Sequence, residues 1–547
     1  MSRTCPTGEP MIVWDAVTRP QTLARQIWEW DGERYRATTY GDLLSDARRA
    51  AAALRRRGVA SGEVVAGVLT NGPETTRAAV GVMFTGATFA SLPIIARGMS
   101  LASYSRQLAS MCKHLGAGVL LAEERFVRAM PAGLDVGVEV VSYGSLLGGT
   151  EMVDVTPPEL DEVLFIQFSS GTTGKPRAAQ LTGRAIEAQL IRLAEVLEID
   201  AERDIGCMWL PLSHDMGIFG GAFLAWYMGI RAVRSTPERF LQAPRSWFDD
   251  CARFRATITA GPPSALAMAS RAEAARSSGQ PLRLRVCLVG AEMVDWAVLE
   301  RAAEVFAPRG LELSTFTTAY GLAEATLAVT VGELDRAPAF VDVDADALVL
   351  GTTHLADPSD PRARRLVSAG TPLQGTEVSI DRSTGEIVIR SSSLACGYFD
   401  NVEETRTRFS DGAFRTSDLG FLHDGDLYVS GRSDDLLILH GRNIFVNQLE
   451  ARVGAVPGIR DGNCAFVQQA GNGRHRVSLV AEADESVDVA TLASRLRRFT
   501  MEQEGVPLDE CVFLPRGSFP MTPTGKAQRH RCLQLVRQPQ IGIRVPT

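Results

Sequence analysis

The chain has no Cys-x-x-Cys pair, and its nine cysteines are scattered and odd in number. Disulfide frameworks and zinc sites use paired spacings, so neither is expected, and a reducing, cytoplasmic setting is. The seven histidines form no ligand cluster. No apolar run reaches the length of a membrane span, and Met1–Asp15 lacks the apolar core of a secretory leader, so stable membrane insertion is not expected. Positive charge is not in excess. The formal net charge is −7, which gives no support to nucleic acid or an anionic membrane as the main partner. Internal repeats and low-complexity tracts are absent as well, which argues against a solenoid.

What is present is an ordinary globular composition, 45% hydrophobic and 22% charged, over 547 residues. That length is too great for one core, and roughly two to four units are expected. Residues 11–36 read as short strands and turns around Trp14, Trp28 and Trp30. From Thr39 the pattern alternates. An Ala/Leu/Arg helix runs to about Arg57, Val64–Leu69 is a buried strand, Thr75–Thr85 a helix, Phe89–Ile95 a strand, Leu101–Leu115 a helix and Gly118–Ala122 a strand. Such alternation predicts an α/β fold with a parallel, helix-covered sheet. It resumes with a helix over Gly183–Leu197, a strand over Ile205–Leu210, a buried helix over Phe219–Met228, and strands over Ala256–Ala260, Val286–Val289 and Leu313–Thr317. Beyond Val331 helical periodicity fades. Thr376–Ile380, Glu386–Arg390 and Leu427–Ser430 predict a small β-barrel-like unit over about 366–430. A compact α+β segment follows, with the boundary at about Ser433 or Asp434, giving units of 1–433 and 434–547.

The stretch Phe165–Gln180, FIQFSSGTTGKPRAAQ, organises the rest. A buried strand breaks into Ser169, Ser170, Gly171, Thr172, Thr173, Gly174 and Lys175: four hydroxyls, two glycines and a cation in one loop. Glycines permit close backbone approach to an anion, and loop N–H groups and hydroxyls donate to phosphate oxygens. No GxxxxGK[ST] can be read here, so this is not a Walker loop. Alone, a Ser/Thr/Gly loop is more often a plain turn. Strand ends that open into polar loops lie at 211–217, 261–263, 290–292 and 318–324, where open α/β sheets place ligands.

In chain order, Ser169–Pro176, Tyr320–Thr326, Thr416–Leu419, Gly431–Asp435 and Pro520–Arg529 resemble the motifs of the adenylate-forming ligases: acyl-CoA synthetases, fatty acyl-AMP ligases, adenylation domains and luciferases. Pro211–Gly217 (PLSHDMG), Tyr320–Leu327 (YGLAEATL) and Gly441-Arg442-Asn443 are most similar to fatty acyl-AMP ligases and long-chain acyl-CoA synthetases. The resemblance spans nearly the whole chain. It implies a large N-terminal domain of helix-covered sheets with the small β unit, and a small, mobile α+β C-terminal domain. It also implies the chemistry. A carboxylate attacks the α-phosphate of ATP to give acyl-AMP and pyrophosphate, and a thiol of CoA or of carrier-protein pantetheine then displaces AMP.

Carried over residue by residue, the resemblance makes Lys526 the catalytic lysine that bridges carboxylate and α-phosphate. A lysine after glycine near a C-terminus is otherwise a solvated surface residue. Glu324 matches the Mg²⁺ ligand, where a lone glutamate would ordinarily favour a helix start. Residues Ser169 to Lys175 match the phosphate loop. Ala319, Tyr320 and Gly321 would face the adenine from one side and Gly290, Ala291 and Glu292 from the other. Asp418 would accept the ribose hydroxyls and Arg432 would add a donor. His214 matches the gate between acyl pocket and phosphates, against the reading of a strand-end cap. Asp434 falls at the hinge and Gly441 on the thiol channel. Helix 216–228, with Met216, Phe219, Phe223 and Trp226, and Thr257–Pro263 would line the acyl pocket. ATP, Mg²⁺ and CoA or pantetheine are the implied cofactors. A hydrophobic carboxylic acid and either CoA or a carrier protein on a separate chain are the partners.

Three positions depart from the family pattern: Arg177-Ala178-Ala179 after the loop, Gly183 in place of histidine, and Ser417 in place of glycine before Asp418. The acceptor stays open. Asp434 resembles the CoA synthetases, while the long 331–364 segment lies where fatty acyl-AMP ligases carry an insertion. A partial enzyme that forms thioester from supplied acyl-AMP, and a degenerate binding protein, are the alternatives to a complete ligase. An oxygenating luciferase has no support in the residues.

Overall fold

The computed structural model describes residues 12–95, 100–129, 137–150, 158–169, 177–275, 279–344, 353–360, 363–432, 436–439, 442–471, 474–484, 487–521, 527–537 and 542–546. Two large sheets dominate. In the six-stranded sheet the order is Glu139–Ser142, Val119–Ala122, Val64–Val68, Thr88–Leu92, Val163–Ser169, Arg177–Thr182. All neighbours are parallel except the last pair, which is antiparallel. The parallel strands are buried apolar runs, as expected where helices cover both faces. In the nine-stranded sheet a parallel core runs through Phe316–Gly321, Val286–Val289, Ile258–Gly261, Ile205–Met208, Arg231–Arg234 and Gln26–Trp30. The α/β expectation holds.

Local signals explain most elements. The helix Tyr40–Arg56 starts at a capping box in which Thr39 and Asp42 satisfy each other's backbone N–H. The helix Leu101–Leu115 ends at Gly116 in the left-handed conformation. Three expectations are corrected. Residues 12–23 form two short helices, Ile12–Thr18 and Pro20–Leu23, rather than strands. Tertiary packing decides this: Trp14 sits edge-on to Phe84 at 4.9 Å, and Val17 O accepts the Trp226 indole N–H at 3.1 Å. The strand expected at Leu313–Thr317 is a 3₁₀ turn over Leu313–Thr315, and the strand itself is Phe316–Gly321. The helix expected at Phe219–Met228 begins earlier, as a π-helix over Met216–Phe223, and turns α-helical only at Leu224–Tyr227.

Past Val331 two strands, Phe340–Asp344 and Ala363–Val367, form an antiparallel hairpin. It is held to the rest by Val343 and Leu366 against Phe421 and Tyr428, and by Phe340 at 4.7 Å from Trp296. The small β unit is a five-stranded antiparallel sheet centred on Glu386–Arg390, Ala413–His423 and Asp426–Arg432. From Val446 onward the chain builds its own cores around Leu449, Phe466, Leu479, Leu496 and Phe513, and among the described residues no buried member is drawn from earlier in the chain. Among the described residues no helix is long and apolar enough to cross a membrane.

Candidate active site

The candidate residues of the nine-stranded sheet lie at the carboxyl ends of adjacent parallel strands. His214 follows Ile205–Met208, the Pro262–Ser264 turn follows Ile258–Gly261, Gly290–Glu292 follows Val286–Val289, and Glu324 follows Phe316–Gly321. A parallel sheet gathers these loops on one edge without any of them touching in sequence.

Tyr320, Asp418 and Arg432 form one bonded unit. The Tyr320 hydroxyl donates to Asp418 Oδ2 at 2.6 Å across 98 residues of sequence. Arg432 Nε lies 2.9 Å from Asp418 Oδ1, because the two residues are register partners in neighbouring strands. Burial first, and then the Asp418 charge, push the Tyr320 phenol well above its ordinary pKa. The phenol is therefore a fixed donor. Asp418 itself follows Ser417, which takes φ +65°. The departure from glycine thus falls on a left-handed backbone, where a β-carbon is costly.

Gly290, at the end of the next strand, packs on Ala319, the residue before Tyr320. A Cβ there would come within 2.6 Å of Ala319 O, so only glycine permits the approach. Gly321 is equally constrained, with Leu327 O 1.8 Å from a Cβ built there. Ala291 adopts φ +66°. Glu292 turns toward the neighbouring strand end, accepting from the exposed Ser264 N–H at 3.1 Å and its hydroxyl at 3.0 Å. It anchors the neighbouring strand-end turn.

Glu324 is buried, 6% exposed, in a short 3₁₀ turn. The Tyr398 hydroxyl donates to its Oε1 at 2.9 Å, and its backbone carbonyl accepts the Ala395 N–H at 2.8 Å. Thr326, at φ +68°, donates to Ser393 O at 2.7 Å and closes the turn. Residues 393–399 therefore clasp the Glu324 loop. They do so while hydrogen bonding to the Arg177–Thr182 strand through Cys396, Gly397 and Phe399. Arg177 is engaged here too: its guanidinium pairs with Glu404 at 2.8 Å and sits 5.9 Å over the Tyr398 ring.

His214 is one-third exposed, with Nδ1 2.7 Å from Asp215 Oδ1. Its segment is pinned by Gln167, whose amide donates to Ser213 O at 2.8 Å. The π-helix that follows needs glycine at its second residue, since a Cβ on Gly217 would lie 2.0 Å from Pro211 O. Phe219, Phe223 and Trp226 are buried in the core, while Met216 and Gly220 on the same helix stay half-exposed. The aromatic set expected to line an acyl pocket packs within the core, Phe219 edge-on to Phe165 and to Phe223. The half-exposed face is Met216 and Gly220, with Leu327 beside it, 3.0 Å from a Cβ built on Gly220.

Ser170, Gly171, Thr172, Thr173, Gly174, Lys175, Asp434, Gly441 and Lys526 lie outside the described residues, as does the side chain of Ser169, which closes its strand.

Polar loops gathered at the carboxyl ends of parallel strands are common to several folds, and the family model decides between them. The model described as "AMP-binding enzyme" matches residues 14–399. The chain belongs to the AMP-binding enzyme family. A putative ligase of Mycobacterium tuberculosis is 30% identical over 516 residues, covering 91% of this chain and 94% of that one. A medium-chain-fatty-acid–acyl-carrier-protein ligase of Moorena producens is 29% identical over 68% of this chain and 67% of its own. A solved structure from work on the fatty acyl-adenylate ligases of E. coli and L. pneumophila aligns with a TM-score of 0.87 at 24% identity, over 97% of this chain and 98% of that one. This AMP-binding enzyme is accordingly an adenylate-forming acid ligase. The sequence reading missed Tyr398, Thr326 and Gln167. Only the Gly397-Tyr398 pair between two strands of the β unit could have flagged Tyr398, and nothing local links it to Glu324.

Proposed function

We propose that this enzyme activates a hydrophobic carboxylic acid with ATP as acyl-AMP and passes the acyl group to the pantetheine thiol of a separate carrier protein. The observation that carries the first step is the Tyr320–Asp418–Arg432 unit at the end of the strand that leads into Glu324. In this reading Asp418 and Arg432 receive the ribose, Tyr320 flanks the adenine with Gly290 and Ala291 opposite, and the 169–175 loop holds the phosphates. Mg²⁺ fits Glu324. It is commonly bound by one or two carboxylates together with substrate phosphates, and Glu324 offers one buried carboxylate oriented by Tyr398. When bound, the ion neutralises phosphate charge. Lys526 would meet the developing charge between carboxylate and α-phosphate, and His214 would gate the acyl path.

The acceptor reading is supported by the 340–367 hairpin, which is anchored to the large body through Trp296, Phe421 and Tyr428. It lies where acyl-AMP ligases carry their insertion. The separate cores beyond Val446 support a boundary near 433–434 and a mobile unit of 434–547. The reading places the enzyme in the cytoplasm.

The test separates the half-reactions. Enzyme, Mg²⁺, ATP and a panel of acids are incubated alone, with CoA, or with a pantetheinylated carrier protein, and products are identified by mass. Acyl-AMP that ignores CoA and loads the carrier is expected. Acyl-CoA made from ATP would overturn the acceptor reading in favour of Asp434 as the guide. Thioester only from supplied acyl-AMP would overturn adenylation. Gly220 supplies the specificity check. Gly220→Leu fills the half-exposed face beside Leu327, so kcat/KM for the longest accepted acids is expected to fall about 10–100-fold while short acids are spared.

A further inference from the structure

Behind Asp418 runs a chain of alternating charges that no part of the proposed chemistry uses. Arg177 pairs with Glu404 at 2.8 Å, and Arg408 bridges Glu404 at 3.4 Å and Glu386 at 3.3 Å. Arg415 bridges Glu386 at 3.1 Å and Asp381 at 2.5 Å. Glu386 is the junction. Its Oε2 faces Arg415, and its Oε1 faces Arg408 while accepting the backbone N–H of Ser417 at 2.7 Å.

That N–H belongs to the residue at φ +65°, directly before Asp418. The ladder is irregular here. Glu386 pairs with Leu419 and Val388 with Arg415, so the pairing slips between them, and it slips again between Leu419 and Gly420 on the other side. Extra residues in a strand leave a backbone N–H without a ladder partner. The carboxylate of Glu386 takes it, in a charge-assisted bond stronger than a neutral one. Thr416 pins the other side of the turn, donating to Ile387 O at 2.8 Å and accepting the Asp418 N–H at 2.9 Å. A serine resists the left-handed conformation, whereas glycine accepts it without help.

We infer that Glu386 is a positioning residue for nucleotide recognition: by holding Ser417 in the left-handed turn, it sets the Asp418 carboxylate against the ribose hydroxyls. The inference rests on the reading that Asp418 receives the ribose. Arg408 and Arg415 keep the Glu386 side chain fixed, so the turn is braced by ion pairs rather than by a glycine.

The test measures binding of ATP and of 2′,3′-dideoxy-ATP by calorimetry to wild type, Asp418→Asn, Glu386→Gln and the Glu386→Gln/Ser417→Gly double variant. Wild type is expected to prefer ATP, and Asp418→Asn to lose the preference. Glu386→Gln is expected to weaken ATP about tenfold with dideoxy-ATP unchanged, and the added glycine to restore most of the preference. A merely structural role would weaken both nucleotides together. Where Glu386→Gln does not fold, Glu386→Asp, which keeps the charges and shortens the arm, gives the same readout. A wild type that discriminates while Glu386→Gln still discriminates overturns the inference alone. A wild type that binds both nucleotides equally overturns the ribose reading and the inference with it.

Discussion

Replacing Glu324 with glutamine is expected to lower acyl-adenylate formation by at least about 100-fold while leaving ATP binding without Mg²⁺ unchanged. The side chain is buried, and its turn is fixed at three points: Tyr398 on Oε1, Ala395 on the backbone carbonyl, and Thr326 on Ser393 O. Glutamine fits that space and still accepts from Tyr398. What it loses is charge, and a hard dication held by one protein carboxylate depends on that charge. Pyrophosphate release gives the rate, and a Mg²⁺ titration of nucleotide affinity gives the second readout. Tyr398→Phe is the companion variant. It removes the Tyr398 hydrogen bond that orients Glu324 without altering charge, so the Mg²⁺ requirement is expected to rise more than the maximal rate falls. If Glu324→Gln turned over at the wild-type rate, the metal assignment would fail.

The second large effect is on stability. Glu29→Gln is expected to destabilise the large unit by about 3–5 kcal/mol, because it strands buried cations. Glu29 is buried between two arginines, pairing with Arg77 at 2.7 Å and with Arg234 at 3.5 Å. Burial works against the Arg77 charge, but Glu29 and then Asp46 outweigh it and hold its pKa above the usual arginine value. Arg234 already has Nε and one terminal nitrogen without a hydrogen-bond partner among the described residues. Removing the Glu29 charge leaves Arg77 to share Asp46 with Arg49 and takes from Arg234 the carboxylate it pairs with. Scanning calorimetry is expected to show the affected transition falling by roughly 5 °C or more. The Glu29→Gln/Arg77→Gln pair should be destabilised by less than the sum of its members, since the second change removes the charge that the first one orphans. Additive losses would show that the contact is incidental.

Two of the three departures from the family pattern are absorbed by the fold. Ala178 sits inside a regular strand opposite Phe168, so the missing glycine is not needed there. Gly183 simply opens a helix capped by Thr182. Ser417 is different: its backbone is left-handed, and it is braced from outside by Glu386. The sequence reading recognised the substitution but not the brace, which lies 31 residues upstream in a neighbouring strand.

Sequence alone determined the family and the alternation of strands and helices. It also determined which strand ends carry polar loops, since hydrophobic period and turn residues are local signals that survive without the fold. Only the tertiary structure decided which of those loops meet. Tyr320 reaches Asp418 because two separate sheets pack together, and Tyr398 reaches Glu324 because residues 396–399 pair with the Arg177–Thr182 strand. The helices at 12–23, the π-helix at 216–223 and the core positions of Phe219 and Trp226 were likewise set by packing against distant chain. Periodicity reports which face of an element is apolar; it does not report what that face touches.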